Sequence, residues 1–328
     1  MNELELGIND AVATRRFSPI RETPLIVPSF SSLVSREIGA VLRSLKGKLG
    51  KACLVSALDV SEGLIHIGDL QYPELLFVDS GNYEFADWDR SKKTKTWSPK
   101  KHGKAIKILV SSRESFDGPS REIVLVNYDI KAPISRQVLL ASELFHRHPQ
   151  TIHDFLCKPE RKGSHIVPVK RLLDQSSKLQ DFDVLGLVEK ELGRTPLEKC
   201  KTLVAIRKGL LGKGFNKPIH IFGCSDPLGI VTYFLCGADI FDGTSWLRMG
   251  FHEDMAIYEQ NYFLLRNYWT QGVDMARGGE FTANLDALTS LQHDMQQFSE
   301  THDVKSFRMR PMSLAAVQTL VSHAGIRF

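Results

Sequence analysis

Short apolar runs alternate with longer stretches of helical period along most of the chain. Pro24-Leu-Ile-Val-Pro-Ser-Phe30, Ala52–Ser56 and Glu74-Leu-Leu-Phe-Val-Asp79 read as the first three buried strands. Glu122–Asp129, Ser164–Lys170, Asp183–Glu189, Lys217–Cys224 and Gly237–Asp242 supply five more. The run Glu122-Ile-Val-Leu-Val-Asn-Tyr-Asp129 is continuously apolar at its centre, as expected of a strand covered on both faces. Helices are predicted between the strands over Ser31–Leu49, from Ser98 to about Ser112, and over Val138–His148, Pro196–Leu211 and Pro227–Cys236. Ser98-Pro99 suits a helix start, with serine as N-cap and proline at the first helical position.

Eight strands that alternate with helices imply a parallel sheet with crossover helices. Closure into a (β/α)8 TIM-type barrel over residues 23–253 is the architecture that suits this count. An open doubly wound sheet is the alternative, and no Gly-x-Gly-x-x-Gly follows the first strand to favour it. Residues 1–22 read as an irregular N-terminal arm. Residues 254–328 lose the alternation and read as an appended C-terminal helical region: Ala256–Trp269, Ala283–Ser299 and Ser313–Ala324.

Composition adds limits. The 328 residues are 42% hydrophobic and 24% charged, as in ordinary globular domains. No apolar run approaches the ~20 residues that cross a bilayer, so no membrane partner is expected. The acidic, mixed N-terminus is unlike a secretory signal. Cys53, Cys157, Cys200, Cys224 and Cys236 are odd in number and never spaced as CxxC, which suggests buried thiols in a cytoplasmic protein. The net charge of +4 is unevenly spread: Arg90, Lys92, Lys93, Lys95, Lys100, Lys101, Lys104 and Lys107 crowd one region around Trp88 and Trp97. Lysines there neutralise phosphates and indoles stack on bases if the segment binds nucleic acid; a solvated loop and helix face is the plain alternative.

Three aspartates carry the candidate chemistry. Asp79, Asp129 and Asp242 end the third, fourth and eighth strands, where barrel active sites lie. Any one of them alone is commonly the cap of the following helix. Three converging on one mouth repel one another and point to a site that uses them. Magnesium bound by carboxylates is one possibility. Chemistry at a sugar anomeric carbon is another, with one aspartate as nucleophile and a second as acid.

The stretch Gly237-Ala-Asp-Ile-Phe-Asp-Gly-Thr-Ser-Trp-Leu-Arg248 resembles the G-V-D-M-F-D-C-V-x-P-T-R motif of the tRNA-guanine transglycosylase family. Val78-Asp-Ser-Gly-Asn-Tyr-Glu84 is similar to that family's T-D-S-G-G-[YF]-Q, and Tyr128-Asp-Ile-Lys-Ala-Pro133 to its F-D-E-C-x-P. Pro24-Leu-Ile-Val-Pro-Ser and His220-Ile-Phe-Gly-Cys resemble two further family strands, in the same order over residues ~20–250. The resemblance implies Asp242 as nucleophile, Asp79 as acid/base, and Asp129 as reader of the guanine edge, with Ser80 and Gly81 beside the substrate and Arg248 on the backbone. Asp239, further back on its strand, is expected to be structural.

Departures from the family shape the rest. The zinc motif C-x-C-x-x-C with a later histidine has no counterpart, so no zinc subdomain, no metal and no cofactor are implied. The zinc subdomain supports the family's dimer, and the oligomeric state is left open. The family's V-Q-G meets Ile166-Val-Pro-Val-Lys170-Arg171, where Lys170 or Arg171 is expected to donate to a purine O6 in place of glutamine. Trp246-Leu247 replaces the P-T before Arg248, and Asn82 replaces the second glycine of S-G-G. These changes resemble the divergent DNA-modifying branch. The expected activity is exchange of guanine in a nucleic acid for a 7-deazaguanine base through a covalent aspartyl intermediate. DNA is favoured over tRNA, and an accessory protein for melting is possible. Lys92, Lys93, Lys95, Trp97, Lys100 and Lys101 are expected to hold the polymer. A catalytically inactive nucleic-acid-binding barrel and an N-glycoside hydrolase are the alternatives.

Overall fold

The computed structural model describes residues 5–49, 51–85, 96–114, 121–161 and 163–328. Eight parallel strands close into a barrel: β1 (Leu25–Phe30), β2 (Ala52–Ser56), β3 (Leu75–Asp79), β4 (Glu122–Val126), β5 (Ile152–Cys157), β6 (Val184–Val188), β7 (Ile219–Phe222) and β8 (Ile240–Gly243). The ring closes between β8 and β1, with Asp242 opposite Val27. The α/β barrel expected from the alternation is therefore the fold.

Alternate residues of each strand fill the interior. Val27, Leu54, Phe77, Val124, Val126, Leu156, Val184, Phe222 and Ile240 form one inner cluster. The opposite parity packs outward: Val55, Val78, Leu125, Phe155, Leu187, Ile221 and Phe241 join the larger core under the helices. Those helices include α1 (Ile38–Ser44), α2 (Pro99–Glu114), α3 (Ile134–Phe145), α4 (Pro196–Leu211), α5 (Pro227–Leu235), α6 (Val273–Thr301) and α7 (Pro311–His323). Thr195 and Glu198 form a capping box at the start of α4, and Asp226 caps α5 through the Gly229 amide at 2.8 Å.

The fifth strand differs from expectation. It is Ile152–Cys157, whereas 164–168 is irregular and a short helix spans Val169–Leu173. The expected helix over Ser31–Leu49 is helical only over Ile38–Ser44. Part of the segment expected as a helix over Ala256–Trp269 is instead the second strand of a hairpin, Met249–His252 with Met255–Tyr258, followed by a helix over Glu259–Leu265.

The two ends of the chain support the barrel together. Leu6–Gly7 pairs in parallel with Ile326–Arg327, so the N-terminal arm is partly ordered as a strand. Helix α6 lies along the β1 side, where Gln292 accepts the Ile26 amide at 2.7 Å. Asn284 of α6 bonds the loop after β8 three ways: it accepts from the Phe251 amide and donates to the Trp246 and Met249 carbonyls, all within 2.9 Å. Trp246 is fully buried, donates to the Ser29 carbonyl at 3.2 Å and meets Phe30 edge-on. The unusual tryptophan thus seals the β8–β1 seam.

Candidate active site

Strand parity turns Asp242 and Asp79 into the mouth of the barrel, and Asp129 follows β4 onto the same rim. Asp242 is 5% exposed. Its Oδ2 accepts from the Ser29 hydroxyl at 2.7 Å, and its Oδ1 from the Gly223 amide at 3.2 Å. Gly243 next to it packs so closely that a Cβ there would sit 2.8 Å from Ser225 Oγ.

A second acid lies beneath Asp242, reached through an imidazole. His220 of β7 points into the barrel, with Nε2 3.3 Å from Asp242 Oδ1 and Nδ1 2.7 Å from Asp154 Oδ2. The outer contact is longer and less well aligned than the inner one. Burial opposes a charge on His220, yet the Asp154 and Asp242 carboxylates outweigh it and push the imidazole up to about 9. Gly186 makes room for this pair: a Cβ there would lie 2.8 Å from Asp154 Oδ1 and 2.7 Å from Phe222.

Asp79 sits among other acids. Burial, with the nearby Asp129 and Asp242 charges adding, pushes its carboxyl up to about 7 despite bonds from the Ser80 and Gly81 backbone. The turn behind it needs glycine: Gly81 has φ +81°, and a Cβ would meet Leu58 Cβ at 2.5 Å. Glu84, behind the same turn, accepts from the Ser31 hydroxyl at 2.6 Å. Burial first, then Asp59 and Asp79, push it up to about 8.

Asp129 is held by the loop that follows Asp79. The Ser80 hydroxyl donates to its Oδ1 at 2.8 Å, and the Asn82 amide donates to its carbonyl at 2.7 Å. Lys158, just past β5, places Nζ 3.7 Å from Asp129 Oδ2 and 2.9 Å from Glu191. His102 lies against Tyr128 and Trp97; burial drives its pKa down to about 4, so it is neutral.

The structure thus brings Asp242, Asp79, Asp129, Ser80 and Gly81 together. Asp239 is buried at the foot of β8 between Arg15 (2.6 Å) and Arg207, a structural position as expected. Arg248 is exposed just past the β8 turn, and among the described residues its side chain forms no hydrogen bond or ion pair. Lys170 is exposed on its short helix, without a bond to any of the three aspartates, and Arg171 pairs with Glu160. The cation beside Asp129 is Lys158, because the strand that ends there is Ile152–Cys157. Trp97 also departs from expectation. It is buried and its indole N–H donates to the Ser80 carbonyl at 2.8 Å, so it braces the loop and is not free to stack on bases. Lys100 and Lys101 are exposed at the start of α2, with Lys101 donating to the Thr96 carbonyl at 2.6 Å. Lys92, Lys93 and Lys95, with Trp88 and Arg90, lie outside the described residues.

No protein-family model matches this chain, and no curated protein matches it.

Among the described residues no helix is long and apolar enough to cross a membrane. Sequence reasoning gave no role to Asp154, His220, Ser29 or Lys158, although His220 and Ser29 lie in the motifs quoted above. A signal for two of them was present: His153-Asp154 is a polar pair within an otherwise apolar run, and His220 interrupts another.

Proposed function

We propose that the protein is a base-exchange transglycosylase that replaces guanine in a nucleic acid, DNA in preference to tRNA, with a 7-deazaguanine base. The observation that carries this reading is the contrast between two carboxylates at one mouth. Asp242 is held by a hydroxyl and an amide, with the His220 imidazole 3.3 Å away. Asp79 is pushed up to about 7 by burial and by its acidic neighbours, and so holds a proton near neutrality. A carboxyl group fixed by hydrogen-bond donors beside a second one that keeps its proton is suited to nucleophile and acid roles. The five ordered motifs that resemble the guanine transglycosylases agree with those roles.

In the first displacement, an Asp242 oxygen attacks C1′ of the target nucleotide as the bond from C1′ to guanine breaks. The Asp79 proton passes to the departing guanine. The incoming deazapurine then gives a proton to Asp79 and attacks C1′, and the ester to Asp242 breaks. Two inversions give net retention. Asp129 accepts from the guanine N1–H and exocyclic amine, and Lys158 is the cation at hand for O6. Arg248 and the lysines at the start of α2 hold the backbone. The target base leaves its stack to reach the mouth.

The test is a denaturation-resistant complex with DNA or tRNA carrying the target guanine, read with nucleoside mass analysis of both polymers from cells with and without the gene. Wild type is expected to form the adduct and Asp242→Asn to form none. Exchange by Asp242→Asn refutes the nucleophile assignment. Binding without any exchange by wild type indicates an inactive barrel, and base release without an incoming base indicates a hydrolase.

A further inference from the structure

We propose that the groove between α2 and α3 on the flank of the barrel is a phosphate track for a single nucleic-acid strand leaving the mouth. The groove has a volume of about 570 Å³ and is lined by Lys100, Lys104, Lys107 and Arg147, with Val110 and Leu144 among its apolar residues. Among the described residues no aspartate or glutamate lines it. Lys104, Lys107 and Arg147 are not among the residues given a part in the proposed exchange.

The three lysines recur at helical spacing, i, i+4 and i+7, and so share one face of α2. Like charges so placed repel, and a solvated helix face ordinarily alternates its signs. Among the described residues the side chains of Lys100, Lys104 and Lys107 form no hydrogen bond or ion pair. Arg147 donates through Nε to the Glu143 carbonyl at 3.0 Å, which orients its guanidinium and leaves the terminal nitrogens available. Among the described residues the face is therefore a run of cations with no acidic partner.

Its position gives direction to the run. Trp97 bonds the Ser80 carbonyl, and Ser80 in turn bonds Asp129, so α2 begins at the rim that holds the candidate acid and the base reader. From Lys100 to Lys107 the helix rises about 10 Å, away from that rim. A concave channel between two helices admits a strand, whereas a flat bilayer surface meets only the ridges. Each lysine or arginine in such a channel replaces counterions on a phosphate. The occupant inferred here is accordingly the sugar–phosphate backbone.

The choice of nucleic acid rests on the base-exchange reading, but binding is measured separately from chemistry. Fluorescence anisotropy with a labelled single-stranded 20-mer, over a series of salt concentrations, compares wild type with Lys104→Ala/Lys107→Ala and with Lys178→Ala/Lys201→Ala, two exposed lysines away from the groove. Loss of two phosphate contacts should flatten the slope of log K against log salt by about 1.4 and weaken binding roughly 25-fold near 0.1 M salt. The control pair should match wild type, and all three should melt alike. Equal slopes and affinities for the groove and control variants overturn the proposal. So does a groove variant that keeps oligonucleotide binding but loses anionic vesicles or polyglutamate. Asp242→Asn should bind the 20-mer as wild type does. Groove-dependent binding without exchange sinks only the enzyme reading; exchange with no groove dependence sinks only the track.

Discussion

Replacing Asp79 with asparagine should raise the stability of the folded protein while it abolishes base exchange. The carboxyl is pushed up to about 7 from an ordinary value near 4, so the folded chain keeps a proton that the unfolded chain releases. A group raised in this way adds stability below its unfolded pKa and loses it as pH rises through the folded value. From pH 5 to pH 8 the linked loss for wild type is about 2.5 kcal/mol. Asp79 remains partly open to the mouth, and solvent screening makes that figure a ceiling. Asparagine has no charge to lose and can still accept from the Gly81 amide. With an unfolding entropy of about 2.1 cal/mol/K per residue, 2.5 kcal/mol corresponds to about 4 °C for a chain of this length. The assay is thermal unfolding of wild type and Asp79→Asn at pH 5 and pH 8. The melting-temperature difference should move in favour of the variant by up to about 4 °C at the higher pH. A difference independent of pH refutes the electrostatic account of Asp79, and a gap that moves the other way shows the carboxylate to be favoured in the fold.

Two further outcomes follow from the same geometry. His220→Phe removes the positive neighbour of Asp242, which should slow adduct formation by about a hundredfold, the scale of losing one preorganised electrostatic partner. The high-pH limb of exchange, set by Asp79 near pH 7, should stay in place, as a rate–pH profile would show. Asn284→Ala deletes three bonds to the loop after β8 and should cost about 2–4 kcal/mol, read by urea unfolding, with faster proteolysis between Trp246 and His252.

Much of the barrel was legible because its strands are buried on both faces and read as apolar runs. Ala52–Ser56 and Pro196–Leu211 fall where the pattern puts them. The fifth strand was not legible, for a chemical reason. Asp154 faces inward to bond His220, and His153 faces outward to stack on Phe145 at 4.5 Å, so two polar residues interrupt the run. Ile166-Val-Pro-Val169 is more apolar yet leads into a short helix. Displacing that strand put Lys170 where Lys158 stands. Trp97 was misread for a related reason. Its sequence neighbours are lysines, but its partner is the Ser80 carbonyl, 17 residues back along the chain. Asp79 and Asp242 were legible as strand-end acids, whereas Asp129 lies in the loop three residues past the end of β4 and not on the strand itself. Their differing environments depend on Ser29, Gly223 and His220, brought near by closure of the ring.

Strand β8 is clamped at both extremities. Asp239 locks its foot between two arginines, while Ser29, Trp246 and Asn284 fasten its tip to β1 and α6. A carboxylate mounted this way has little travel of its own. On the proposed chemistry, the anomeric carbon must then shuttle between stationary groups, migrating toward Asp242 as one base departs and back as the next arrives. Selectivity for the incoming purine would lie in how well the rim tolerates that excursion of the sugar, and variation in Asn82, Lys158 or Arg248 would retune it without disturbing the anvil on which the ester forms.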